Sequence, residues 1–253
     1  MRILAIDIGG SGLKAAVLDE QGTMLVDRVR VETPHPCWPD RMVEMLEELV
    51  TPLAPFDRVA VGFPGVVRDG VILTAPNLGT EEFRGCNLQM ALEKRLGKPV
   101  RVLNDADLQG LAAIEGKGVE MVITLGTGMG SALFLNGHLA PHLELAHHPF
   151  RKGETYDEQL GNAALKRHGH KKWNRRVRKA IDLLRVLTNF DHLYIGGGNG
   201  EEIDFDLESN ITIVPNEDGL RGGIWLWRER PVLKEAPRQS ARSKARSQSA
   251  EES

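Results

Sequence analysis

Two short stretches carry the residue types that hold phosphate. Asp7-Ile8-Gly9-Gly10-Ser11-Gly12-Leu13-Lys14 near the start and Leu125-Gly126-Thr127-Gly128-Met129-Gly130-Ser131 in the middle each set glycines between two apolar runs that read as strands. Backbone N–H groups converge on a phosphate only where no Cβ blocks the approach and positive φ is allowed. Asp7 and Lys14 bracket the first turn and Thr127 and Ser131 add hydroxyls to the second, so a carboxylate for a magnesium shell, a cation and donors are all at hand. Either turn alone reads equally as an ordinary tight hairpin, where glycine is also the usual residue. The pair, framed alike, reads as a duplicated scaffold that grips a phosphate chain from both sides. Candidate phosphate ligands are Gly9, Gly10, Ser11, Gly12, Lys14, Gly126, Thr127, Gly128 and Gly130, with Asp7 as the candidate metal ligand. A third glycine cluster, Gly196-Gly197-Gly198 after Leu193-Tyr194-Ile195, adds Gly197 and Gly198 at a strand end.

Phosphoryl transfer to a hydroxyl needs a group that receives the proton. Asn104-Asp105 follows the apolar run Val100–Leu103, and strand C-terminal ends are where α/β folds bind ligands. Asp105 is therefore a candidate base, and equally a candidate N-cap for a helix over 108–114. Glu144, His147 and Glu154 offer polar groups for a sugar, although a lone histidine more commonly serves structure or surface.

A further feature is charge. Residues 166–179 hold eight Lys or Arg and no acid; set apart from the net −3 of the 253-residue chain, they leave −11 for the rest. Trp173, Val177, Ala180, Ile181, Leu184 and Leu187 mark a buried stripe at helical spacing, which leaves Lys171, Arg175, Arg178 and Arg185 on the other face. Such a face is either simply solvated or a track for a polyanion.

These residues need elements to position them. Residues 3–8, 13–18 and 24–31 read as an antiparallel meander, 40–51 as a helix, 59–63 as a strand, 88–96 as a helix and 100–103 as a strand. The pattern then restarts with strands 121–125 and 130–135 and an Asn136-Gly137 turn. Residues 159–190 read as helix, and Glu217–Gly223 as the opening of a last helix over 224–229. The economical organisation is two α/β lobes around a cleft: 2–110 with the first turn and Asp105, 111–233 with the second turn and the basic helix, and a Ser/Arg-rich tail over 234–253 expected to be disordered. Cys37 and Cys86 are the only cysteines, too few for a disulfide framework, and no apolar run approaches the roughly 18 residues of a membrane span. A cytoplasmic protein with no membrane partner is expected.

With the motifs in view, the sequence resembles the ROK sugar kinases of the actin-like ATPase superfamily, and within them the polyphosphate glucokinase branch, over about residues 2–228. The resemblance lies in Asp7–Lys14, Phe63-Pro64-Gly65, Ala75-Pro76-Asn77-Leu78, Val102-Leu103-Asn104-Asp105-Ala106-Asp107, Leu125–Gly130 and Glu144-Leu145-Ala146-His147. It implies a two-lobed actin-like (ribonuclease H-like) α/β fold with a central cleft, and Asp105 as general base. It implies sugar contacts from Asn77, Asn104, Asp105, Glu144, His147 and Glu154, the last through Gly153-Glu154-Thr155-Tyr156. Ala146 stands where the family's Glu-x-Gly-His motif has glycine, which bears on the choice of sugar. The implied reaction moves a phosphoryl group from polyphosphate or ATP to the 6-hydroxyl of glucose with Mg2+. An ATP-only hexokinase acting on glucose, mannose or another hexose is the alternative. The cysteine cluster that holds zinc in many members is missing, so no zinc is expected. Lys171, Lys172, Arg175 and Arg178 become a polyphosphate tract, and a homodimer is implied. A sugar-responsive repressor, which in this family carries an N-terminal DNA-binding helical domain, is disfavoured because the first strand is expected to begin at residue 2, and a nucleic-acid-binding role because both turns and Asp105 are intact.

Overall fold

The first glycine turn closes a hairpin, and the hairpin seeds a sheet. In a computed structural model that describes residues 1–53, 55–215 and 218–228, β1 (Ile3–Ile8) and β2 (Leu13–Leu18) pair antiparallel, with Asp7 opposite Lys14. β3 (Val29–Val31) adds to β2, shorter than the strand expected over 24–31. Residues 24–28 leave the ladder after a single bridge, Met24 to Leu18, and Met24 and Leu25 are exposed. Of this segment's apolar residues only Val26 packs against the first core.

Next come α1 (Pro39–Val50), β4 (Arg58–Phe63), a small hairpin β5 (Val67–Arg68) and β6 (Val71–Ile72), α2 (Thr80–Phe83), α3 (Leu88–Leu96), β7 (Val100–Asn104) and α4 (Asp105–Ala113). β4 runs parallel to β1 and β7 parallel to β4, giving the order β3-β2-β1-β4-β7. α1 buries Met42, Val43, Leu46, Leu49 and Val50, the helical spacing legible in the sequence, against one face of this sheet.

The second half repeats the plan. β8 (Val119–Leu125) and β9 (Met129–Leu135) form the second hairpin, followed by β10 (His138–Leu139), the small pair β11 (Pro149–Arg151) and β12 (Glu154–Thr155), α5 (Tyr156–Leu160), α6 (Asn162–His168), α7 (His170–Thr188), β13 (His192–Gly196), β14 (Ile211–Ile213) and α8 (Asp218–Trp227). The strand order β10-β9-β8-β13-β14, with β13 and β14 parallel to β8, matches the first sheet position for position. The duplication read from two turns thus extends to both five-stranded sheets.

The helix expected over 159–190 is three helices. Gly161 and Gly169 interrupt it, and Gly169 adopts φ 74° where the chain re-aims into α7. Trp173, Val177, Ala180, Ile181 and Leu184 are buried against the second sheet, and the Trp173 indole donates to Leu160 O at 2.8 Å. Burial of Val177, Ile181 and Leu184 contributes about 1.5–3 kcal/mol each. Leu187 departs from the expected stripe, being 60 % exposed with Leu183 and Val186 beside it.

The two halves trade helices. α4 follows the first sheet, yet Leu108 and Leu111 pack on Val122, Ala132, Phe134 and Tyr194 of the second. α8 comes after the second sheet, yet Leu220 and Ile224 cover Ile3, Ala5, Ala16, Leu18 and Ala60 of the first. Arg101 and Arg58 stack on Trp227, whose indole donates to Val59 O at 3.2 Å. Gly222 and Gly223, read in the sequence as opening a later helix, lie inside α8. A Cβ on Gly222 would stand 1.8 Å from Leu108 O, so the glycine is what lets α8 cross α4 at backbone contact. The tail expected over 234–253 and residue Glu217 lie outside the described residues.

Candidate active site

Between the two sheets lies a cleft of about 1040 Å³, lined by both glycine turns and by the N-terminal end of α4. In the first turn Gly9 N–H donates to Gly12 O at 2.9 Å, and the carbonyls of Gly9 and Gly10 are held by Thr33 Oγ1 and His35 Nε2, both at 2.7 Å. Lys14 Nζ donates to Asp7 Oδ2 at 2.9 Å, so cation and carboxylate neutralise one another where both look into the cleft. In the second turn Gly126 N–H donates to Gly128 O at 2.9 Å, and Asp157 Oδ1 accepts from Met129 N–H at 2.8 Å. A Cβ on Gly128 would meet that Asp157 oxygen at 1.9 Å. Gly9, Gly10, Ser11, Gly12, Lys14, Gly126, Thr127, Gly128, Gly130, Gly197 and Gly198 all line the cleft, as does Asp7.

The Asn104-Asp105 pair resolves its two readings by division. Asn104 is the N-cap of α4: its Oδ1 accepts from Ala106 N–H at 2.8 Å and Asp107 N–H at 3.2 Å. Its amide nitrogen donates to Gly65 O at 3.2 Å and Phe63 O at 3.5 Å. Both donors and both lone pairs are engaged. Asn104 thus lines the cleft while its amide also holds the start of α4 to the Phe63–Gly65 loop. Asp105, one residue on, is free of capping and faces the cleft, holding only Ala106 N–H at 2.8 Å. Burial, then the nearby Asp7, Asp107 and Glu144 charges, push its carboxyl from 3.8 up to about 7. A carboxylate poised there accepts a proton near neutral pH.

The remaining polar wall holds one correction and two residues with no clear sequence signal. Asn77, Glu144 and His147 line the cleft as expected. Glu154 does not: it sits on β12, paired with Arg167 Nη2 at 3.3 Å. Thr155 caps α5 with a capping box to Glu158, and Asp157 in the first turn of that helix lines the cleft. The Thr155-x-x-Glu158 spacing was the available signal. His142 also lines the cleft, buried between Asp107 and Glu144; nothing in its local sequence marks it. Lys171, Lys172, Arg175 and Arg178 are exposed along α7 and outside the cleft lining, with Arg178 stacked on Phe205 at 4.5 Å. Arg185 pairs with Glu208 at 2.9 Å.

A magnesium ion asks little of a protein, one or two carboxylates beside substrate phosphates and waters. Among the described residues no group of three or more His, Cys, Asp or Glu could hold a metal by itself. Asp7, with one oxygen on Lys14 and the other free beside the glycine turn, fits that lesser demand.

Residues 3–142 match the model of the ROK family. The chain belongs to the ROK family. This ROK chain is 31 % identical over 223 residues to a polyphosphate glucokinase of Mycobacterium tuberculosis, covering 83 % of each. Among solved structures it is similar to an inorganic polyphosphate/ATP-glucomannokinase from Arthrobacter sp. strain KM, with TM-score 0.78, 32 % identity and coverage of 88 % of this chain and 96 % of that one. A ROK family glucokinase from Streptomyces griseus shares the fold at 19 % identity, TM-score 0.72, over 89 % of this chain and 99 % of that one. These likenesses bear out the actin-like two-lobed fold.

Proposed function

We propose that this ROK chain is a sugar kinase that transfers a phosphoryl group from inorganic polyphosphate, and also from ATP, to the 6-hydroxyl of glucose. The observation that carries the reading is Asp105, a carboxyl held near neutrality at the N-terminal end of α4, in a cleft walled by two glycine hairpins. Asp105 takes the proton of the attacking hydroxyl. Asn77, Glu144, His147 and Asp157 orient the sugar, and the backbone N–H groups of the two turns receive the donor's phosphates. Asp7 would hold a magnesium ion, which would supply neutralisation of charge on the donor oxygens. Closure of the lobes about the α4–α8 crossing keeps water from the donor.

Polyphosphate as donor is supported by the exposed Lys171, Lys172, Arg175 and Arg178 of α7 in an otherwise acidic chain, and by the polyphosphate glucokinase and glucomannokinase relatives. A cytoplasmic location is part of the same proposal, and no described helix is long and apolar enough to cross a membrane. So is a homodimer, for which the exposed Leu183, Val186 and Leu187 supply apolar surface. The deciding experiment measures glucose 6-phosphate formed by the purified protein with Mg2+, comparing long-chain polyphosphate and ATP at matched phosphate concentration. Preference for polyphosphate supports the whole reading. ATP-only turnover removes the tract and keeps Asp105, and no turnover with either donor over a panel of hexoses overturns the kinase reading.

A further inference from the structure

His142 has both ring nitrogens aimed at carboxylates, and it lies almost out of reach of water. Its side chain is 7 % exposed; Nδ1 stands 3.0 Å from Asp107 Oδ2 and Nε2 stands 3.8 Å from Glu144 Oε2. Asp107 is buried deeper still, at 4 %, and Glu144 reaches the cleft at 30 %. A neutral imidazole has one N–H and could serve only one of these acids, leaving a lone pair facing the other. The doubly protonated ring serves both. Nε2 is buried with no hydrogen-bond partner, so the Glu144 carboxylate at 3.8 Å is the charge it faces. A buried array of this kind is stable when the central cation is present and costly when it is not.

We propose that His142 is a positioning residue for sugar binding: as a permanent imidazolium clamped between Asp107 and Glu144, it keeps Glu144 ionised and aimed into the cleft. The proposal rests on the sugar-kinase reading above. Backbone contacts fix the clamp, since Ser131 Oγ donates to Leu143 O at 2.8 Å and Ala140 N–H donates to Leu133 O at 2.8 Å, on either side of His142. The need for a cation is set by the neighbours. Asp105 and Asp107 face this corner from α4, Glu144 from the same loop and Asp7 from β1, already paired with Lys14. His147 stands beside Glu144 from the following turn, and Asp157 lines the same cleft from α5. Without a charge at His142, Glu144 would share the corner with Asp105 and Asp107 and would take up a proton as pH falls.

The electrostatics run the same way. Burial works against a charged ring, yet the contacts and charges of Asp107 and Glu144 carry His142 up to about 9. Contact with His142 holds Glu144 below the ordinary carboxylate range against its own burial. Glu144 therefore stays ionised in the parent from pH 8 to 6, and the cleft carboxyl that does titrate in that window, Asp105 at about 7, is retained in a His142 variant.

Two measurements on the full chain test this. The first is the ring 15N spectrum of His142, assigned by its loss in His142→Gln. Two protonated ring nitrogens persisting at pH 8 support the proposal, and a neutral tautomer at pH 7 overturns it whether or not the protein turns over. The second is the pH dependence of glucose kinetics. His142→Gln keeps an amide donor for Asp107 but no charge. Between pH 8 and 6 its KM for glucose should rise about tenfold more than the parent's does, which removes the share due to Asp105, with kcat at saturating glucose changed far less. A variant that loses kcat, keeps the parent's pH dependence of KM and melts lower would make His142 structural packing only, and would overturn the proposal. Should His142→Gln fail to fold, the spectrum is assigned by specific labelling and still decides. A parent inactive on every hexose and donor sinks the kinase reading separately, leaving the charge of His142 to the spectrum.

Discussion

Replacing Asp105 by Asn should make the protein more stable and nearly inactive at once. Asn keeps the Oδ1 that accepts from Ala106 N–H at 2.8 Å and stands in for the protonated acid. The fold raises this carboxyl from 3.8 to about 7, chiefly by burial. The native state thus holds the proton more tightly than the unfolded chain does. Stability tied to that proton is complete below pH 3.8 and is lost progressively as pH rises through about 7. The parent forfeits about 1.7 kcal/mol by pH 5 and about 4 kcal/mol by pH 8, as upper figures for a group that partly faces the cleft. Asp105→Asn forfeits neither, so its advantage in urea-unfolding free energy should widen by about 2–3 kcal/mol between those two pH values. Its turnover should fall by about 10²–10⁴. The parent's kcat should show an acid limb centred near pH 7, falling about tenfold per unit below it. A stability gap equal at pH 5 and 8, or turnover close to the parent's, would refute the assignment of Asp105 as a buried base.

Gly222→Ala drives a methyl to within 1.8 Å of Leu108 O, a backbone atom that cannot swing aside, so thermal unfolding should show a loss of about 3 kcal/mol. A neutral effect would mean that α4 and α8 do not cross there at backbone contact. Asn104→Ala removes the cap of α4 and strands the carbonyls of Phe63 and Gly65; it should cost about 2 kcal/mol in denaturant melts. Changing Lys171, Arg175 and Arg178 together to Gln should weaken use of long-chain polyphosphate about tenfold more than use of ATP, an effect that added salt should reproduce in the parent. Equal losses with both donors would leave these cations as a solvated face.

How much of this was legible depended on whether the signal was local. The hairpins were legible because glycines bounded by apolar strands constrain the backbone over a few residues, and the same order in both sheets follows from that repeat. Asp105 was legible by its place at a strand end, yet its competition with a cap was decided by Asn104, whose amide reaches across to Phe63 and Gly65, about forty residues earlier in sequence. Glu154 came from the family resemblance alone, whereas Asp157 lies in the first turn of α5, whose start the Thr155-x-x-Glu158 spacing marks. Gly222 read as part of a helix opening and is a crossing point, since the atom it makes room for, Leu108 O, is over a hundred residues distant in sequence. His142 could not be found from sequence, because its partners come from α4 and from the cleft wall.

The covering of the first sheet by α8 bears on how the protein is made. While the chain emerges from the ribosome, Ile3, Ala5, Ala16, Leu18 and Ala60 form an apolar face whose cover, Leu220 and Ile224, is still unsynthesised. At about 5–20 residues per second, that face waits on the order of ten seconds or more. The first lobe therefore cannot mature as an independent unit in order of synthesis, and the nascent chain's need for chaperone protection is written into the exchange of α4 and α8 between the sheets.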